Sequence, residues 1–453
     1  MSTSIIARPL GNIRRENRGI VGDWIAFLTP ISAIWVVSVG GQLPYTEVIF
    51  LLFFPVLVLT KGRRLLDKEY RTAYLLLGLW ALSQTLTDIF VETSTASRIR
   101  GLARVVFFAL DLASISVIIG TSLRRTRIFL LGMIVNLIYV AYTSGLDMAT
   151  AWKMALAPAA SMAVFLFASP YYVKRKYAWV LLPAIGLAIV NLHYVVRGAM
   201  MIDLAVAVLL LPIFPKAVTD RHSVTRGRAG RVGLLIVLSL AAVWGSQQIL
   251  KTAVNAGLFS ESDQQKYEQQ SQGKLGILFG GRPEGLVAAR AIMDSPFLGH
   301  GSYAVDYKYY ELLQEYRYRF GYAEGDEVDD VEDPGIPTHS HLTMSWVEGG
   351  FLASFFWFYM LLLIARGVIR LTETPHQLGP LYLYLLISLT WDILFSPFGQ
   401  TRRMYEAFLI VVMINLLRTK PAQRARMDMR VKRARPKLRA ATLWRPARPF
   451  RPA

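Results

Sequence analysis

The sequence predicts an all-α, polytopic membrane protein with about twelve spanning helices and one large loop outside the cytoplasm. Of its 453 residues 54% are hydrophobic and only 18% charged, a balance that suits a bilayer better than water. Apolar runs recur at about the twenty residues needed to cross roughly 30 Å of hydrocarbon. The basic residues fall in alternate connections between those runs, as they do when short cytoplasmic loops retain Lys and Arg.

Residues 1–20 carry Arg8, Arg14, Arg15 and Arg18 and read as a cytoplasmic N-terminal segment. The apolar run that follows lacks a small-residue cleavage pattern, so it is a first span and not a removed signal. Residues 21–248 hold nine expected helices, centred near Ile31, Phe53, Trp80, Leu110, Asn136, Ala160, Ile185, Val206 and Leu238. Gly40-Gly41-Gln42 predicts a tight hairpin between the first two, and Pro212 and Pro215 shorten the run around Val206. Residues 346–417 hold three more, near Phe355, Leu385 and Leu409.

Arg63, Arg64, Lys68 and Arg71, then Arg124, Arg125 and Arg127, then Lys174, Arg175 and Lys176 occupy alternate connections, as do Arg221 to Arg231 and Arg366 with Arg370. Both termini are therefore expected in the cytoplasm. The basic tail, 418–453, is rich in Arg, Pro and Ala; it is expected to be disordered, either held near anionic headgroups or simply solvated. The net charge of +19 does not indicate nucleic acid, because Lys and Arg are dispersed between spans where they orient the chain. The absence of cysteine excludes disulfides and thiolate metal sites.

The polar segment 249–345 is the expected periplasmic loop and the expected place of function. Pro283 at a first helical position, followed by Leu286, Val287, Ile292 and Met293, predicts one short amphipathic helix ending before Pro296. Tyr309, Leu312, Leu313, Tyr316 and Phe320 mark a second. The acidic run from Glu324 to Asp333 is either a solvated turn or a Ca²⁺ or Mg²⁺ site, and because it lacks the ligand spacing of a calcium loop the solvated turn is the favoured reading. Gly280-Gly281-Arg282-Pro283 sets a guanidinium at the positive end of a helix, a seat for a diphosphate. His339-Ser340-His341 stands where the chain re-enters the membrane; an imidazole there either acts as a base near neutral pH or caps the next helix. Glu348 follows His339 by nine residues, half a helical revolution out of phase, and reads as an acceptor for a loop donor or an Arg.

Under this topology Arg98, Arg100, Arg197, Arg282, Arg290, Arg317, Arg319, Arg402 and Arg403 face outward against the general bias. Arg197 lies between two apolar runs, where it must either find polar partners or snorkel to the headgroups. Several such guanidinium groups at one face make a clamp for a diphosphate.

In order along the chain, Arg197-Gly198, Gly281-Arg282, Pro296-Phe297-Leu298-Gly299-His300-Gly301, and His339 with Glu348 and Gly350 resemble the O-antigen ligase and polymerase superfamily. The resemblance covers residues 180–365 at the level of motifs. Ser340 stands where that family commonly has Asn after the His, so an amide donor is replaced by a hydroxyl. The resemblance implies an inverting, metal-independent glycosyltransferase of the bacterial inner membrane that needs no cofactor. Its donor would be a glycan on a polyprenyl diphosphate carrier, and its acceptor a hydroxyl of lipid A core or of a second lipid-linked glycan. His339 would be the catalytic base, Arg197 and Arg282 would bind diphosphate, and Glu348, Arg402 and Arg403 would support them. Tyr309, Tyr310, Tyr316, Tyr318 and Tyr322 either stack on sugar rings or pack the loop. Two other classes stay open: a twelve-helix secondary transporter, and a non-enzymatic sensor or scaffold.

Overall fold

A computed structural model describes residues 19–38, 41–65, 67–211, 245, 248, 251–252, 254–257, 283–319, 335–373 and 376–418. Nine helices lead into the bundle: α1 (Ile20–Ser32), α2 (Tyr45–Leu65), α3 (Lys68–Phe90), α4 (Thr95–Ile119), α5 (Leu123–Thr143), α6 (Met148–Ala151), α7 (Ala157–Val173), α8 (Ala178–His193) and α9 (Arg197–Leu209). A π-helical turn, Trp152–Leu156, fuses α6 to α7. Two loop helices follow, α10 (Pro283–Asp294) and α11 (Tyr307–Arg319), and then α12 (His341–Glu373), α13 (Gly379–Phe395) and α14 (Gln400–Arg418). A helix stands at each expected centre except Leu238, which lies outside the described residues.

Among the described residues six helices are long and apolar enough to cross a membrane: Tyr45–Gly62, Lys68–Phe90, Thr95–Ile119, Leu123–Thr143, Met148–Val173 and His341–Leu371. Others are apolar but shorter, Ile20–Ser32, Ala178–His193 and Gly379–Phe395. The chain reverses after α1 as predicted, and a short antiparallel ribbon, β1 (Val36–Ser38) on β2 (Gln42–Pro44), flanks the reversal and pairs its backbone.

Local sequence sets the helix ends. Ser94 accepts from the amide of Ser97 to open α4, which stops at Gly120 with φ 57°, and Asp147 accepts from Ala149 and Thr150 to open α6.

The surface differs from that of a water-soluble bundle, although the core is apolar in both. Large apolar side chains such as Leu52, Phe53 and Leu59 (87% exposed) point outward, whereas Glu47, Asp111, Asp203 and Glu406 are buried. Such a distribution suits hydrocarbon surroundings, where a carboxyl group needs protein partners. It is compatible with a membrane-embedded protein. Inside, Trp80 of α3, Phe108 of α4, Phe356 and Trp357 of α12 and Phe398 of the α13–α14 turn form an aromatic knot with ring centroids 4.9–6.2 Å apart. Arg403 of α14 clamps Glu47 of α2 with two hydrogen bonds of 2.7 Å each.

Candidate functional site

The site is built around a break in α12. At Gly350 the backbone turns to φ 72° and ψ −173°, which interrupts the helix and frees the carbonyls of the turn before it. Each is recaptured. His300 N–H donates to Val347 O at 2.7 Å, Gly301 N–H to Glu348 O at 3.0 Å, and the Ser83 hydroxyl to Gly349 O at 2.6 Å. Phe351 N–H, freed on the other side, donates to Pro296 O at 3.0 Å. The segment Pro296–Gly301 is therefore the backbone partner of the break, and its glycines are there for close approach: a Cβ on Gly299, at φ 83°, would stand 2.6 Å from Gly350 N. His300 serves this seat as well, its ring Nε2 donating to Ala291 O at 2.8 Å and so tying α10 to the same segment.

Glu348, two residues before the break, is nine-tenths buried. Its Oε2 accepts from the Arg104 guanidinium of α4 and from Gln84 Nε2 of α3 at 3.0 Å. Gln84 also donates to Ser302 Oγ at 2.7 Å, and Ser302 in turn gives its amide and hydroxyl to the two oxygens of Asp88, at 2.6 and 2.7 Å. This chain bolts the loop to α3, α4 and α12. Arg104, Gln84 and Asp88 were not among the residues singled out from sequence; the available signal was one basic and two polar residues set into otherwise apolar runs.

His339 and His341 have opposite surroundings. His339 is exposed, and the helix is capped by Ser340, whose Oγ accepts from the amide of Thr343 at 2.9 Å. Ser340 thus takes the capping position at this helix start, its side chain turned to its own helix. His341 is fully buried against Trp357 and Phe398. Its Nδ1 donates to Ser396 O at 2.6 Å and its Nε2 stands 3.3 Å from Glu406 of α14.

The arginines divide. Arg197 is half-buried at the first position of α9, and a Cβ on Gly198 would meet the Trp391 ring at 2.8 Å, so α9 starts against the final turns of α13. Arg402 pairs with Asp392 in those same turns and keeps about a third of its side chain exposed. Arg403 is buried with Nε and Nη2 both engaged by Glu47; it is a brace between helices and not an open anion seat. Arg282 lies outside the described residues, next to Pro283 at the start of α10, and the acidic run 324–333 and Tyr322 lie outside them too. The starts of α9, α12 and α14 and the end of α13 thus meet at one end of the bundle. Arg197, Arg402 and the buried His341 belong to these helix ends, and the exposed His339 precedes α12 by two residues.

The loop helices pack on this end through Val287, Ala288, Ala291, Tyr309, Leu313 and Val347. Tyr309 is buried and donates to Asp294 at 2.9 Å, so it packs the loop and offers no face to a sugar. Hydrogen bonds from Lys308 and Tyr309 hold the Asp294 carboxyl below the usual range, and burial together with Asp294 pushes the Tyr309 phenol up. A cavity of about 460 Å³ is lined by Ser97, Tyr303, Gly335, Thr338, Met344 and Glu348 among others. Tyr303 reaches it from a left-handed backbone, φ 51°, which costs a non-glycine residue on the order of 1 kcal/mol.

No protein-family profile matches the sequence, and no curated protein matches it either.

Proposed function

We propose that this protein is a glycosyltransferase of the bacterial inner membrane, moving a glycan from a polyprenyl diphosphate carrier to an acceptor hydroxyl in O-antigen or exopolysaccharide assembly. The observation that supports the reading is that Arg197 opens α9, Arg402 pairs with Asp392 near the start of α14, and the exposed His339 precedes α12 by two residues, so that these groups belong to helix ends gathered at one end of an apolar bundle. In this reading about twelve spans leave both termini in the cytoplasm and that end in the periplasm, level with lipid headgroups.

The chemistry needs little else. The acceptor oxygen attacks the anomeric carbon as the bond to the diphosphate oxygen breaks, and the diphosphate leaves with the electron pair. His339 takes the hydroxyl proton, and Arg197 with Arg282 stabilises the charge developing on the leaving group. Arg402, partly neutralised by Asp392, adds positive potential beside them. In-line attack inverts the anomeric centre. The acceptor is a lipid A core or a second lipid-linked glycan.

The test is the band pattern of surface polysaccharide in a deletion strain. Wild-type gene in trans is expected to restore long glycan on the acceptor, and His339→Ala is expected not to, although it inserts and accumulates normally. Restoration by His339→Ala would remove the assignment.

A second reading, a secondary transporter, draws on Asp203, buried in α9 and bonded by Asn191 at 2.8 Å and Ser161 at 3.3 Å, since ionisable groups inside spans often line solute paths. Uptake of a labelled solute by proteoliposomes, with no glycan transfer, would favour it.

A further inference from the structure

We infer that the cavity between Tyr303 and Glu348 seats a pyranose ring of one of the two glycans, with Tyr303 as its stacking surface and Glu348 as acceptor for its hydroxyls. The inference rests on the glycosyl-transfer reading and names the part of the substrate that the arginines do not bind.

Three features of the cavity match a sugar more closely than an anion or an acyl chain. Tyr303 is 47% exposed and lines it, while the Arg104 guanidinium lies 5.1 Å from the ring centroid. A ring already backed by a cation and about half open to the cavity offers the apolar, polarisable surface on which the C–H face of a pyranose packs. Glu348 also lines the cavity, and its two internal donors, Arg104 and Gln84, both converge on Oε2, leaving Oε1 outside that network. A carboxylate oxygen fixed in this way accepts hydroxyl protons at no cost in reordering, and it repels phosphate. The hydroxyls of Ser97 and Thr338 complete a polar rim, and Thr338 is the immediate neighbour of His339. The volume falls in the range of small-molecule sites.

The backbone at Tyr303 supports the same conclusion. The left-handed φ of 51° would be met most easily by glycine, so a tyrosine is held there against its own preference by the pairing on either side. Ser302 is fixed to Asp88, and Ala304 O accepts from Ile336 N–H at 2.9 Å.

Saturation-transfer NMR tests this on the full chain in nanodiscs, with free glucose, galactose, mannose, rhamnose and N-acetylglucosamine as probes. Tyr303→Gly removes the ring while suiting the backbone, Tyr303→Phe keeps the ring, and Thr338→Val removes a rim hydroxyl. At least one sugar is expected to receive saturation, bound about tenfold more weakly by Tyr303→Gly and within about twofold of wild type by Tyr303→Phe. Silence from every sugar, or wild-type binding by both Tyr303→Gly and Thr338→Val, overturns the inference. Kinetics then assign the ring: a raised acceptor KM in Tyr303→Gly means an acceptor sugar, a raised donor KM a donor sugar. Binding requires no turnover, so sugar binding without transfer would sink the enzymatic reading alone, and transfer without sugar binding would sink the cavity alone.

Discussion

His341 Nε2 stands 3.3 Å from Glu406 Oε1 with both side chains closed to solvent, while two residues earlier His339 lies exposed. Since the Ser396 carbonyl can only accept, the Nδ1 proton of His341 is committed, and Nε2 is left to face the acid. The two histidines should therefore separate stability from activity. His341→Ala opens a cavity beside Trp357 and Phe398 and strands Ser396 O, at a cost of about 3 kcal/mol or more. His339→Ala should stay within about 0.5 kcal/mol of wild type, as surface changes do. Thermal unfolding of both variants in detergent checks the contrast.

The break in α12 should tolerate no side chain. Gly350→Ala combines φ 72° with a Cβ driven into the Phe297 carbonyl, and Gly299→Ala combines φ 83° with a Cβ 2.6 Å from Gly350 N. Each is expected to cost at least about 2 kcal/mol and to undock Pro296–Gly301. Limited proteolysis within 283–319 should then become faster than in wild type.

Arg104 and Glu348 should behave as one unit. Removing either leaves the other charged and buried, so Arg104→Met or Glu348→Met alone should destabilise by about 3–5 kcal/mol. The double variant is expected to recover much of that loss, and a double-mutant cycle on unfolding midpoints measures the coupling. Additive losses would show that the pair is not coupled.

Asp294 gives the loop an acid limit. Its carboxyl is held below the usual range in the folded state, so its contribution is complete above the unfolded value and is lost as pH falls through and below about 4. Amide exchange in α10 and α11 should accelerate below that pH in wild type. Asp294→Asn should exchange faster at neutral pH and lose most of the acid dependence.

Much of the bundle was legible because a bilayer imposes one simple rule, an apolar run of fixed length, and helices stand at Phe53, Trp80, Leu110 and Phe355 as those runs require. The loop helices were legible through Pro283 and through the Tyr and Leu spacing before Arg319. What the site depends on was less so. Gln84, Asp88 and Arg104 sit in apolar helices and bond to Ser302 and Glu348, more than 200 residues away, and no local pattern records such pairing. Periodicity carried Glu348 as far as an acceptor, but its donors come from other helices. Arg403 reads like Arg402 in sequence, and only the position of Glu47 makes one a brace and the other a surface charge.

The most direct measurement is glycan transfer by the purified protein in liposomes, with a polyprenyl-diphosphate-linked glycan and a lipid-linked acceptor. Wild type is expected to form product without added metal, and His339→Ala to lose on the order of 10²–10⁴-fold in rate with unchanged unfolding temperature. Product formation by His339→Ala at the wild-type rate would contradict the account.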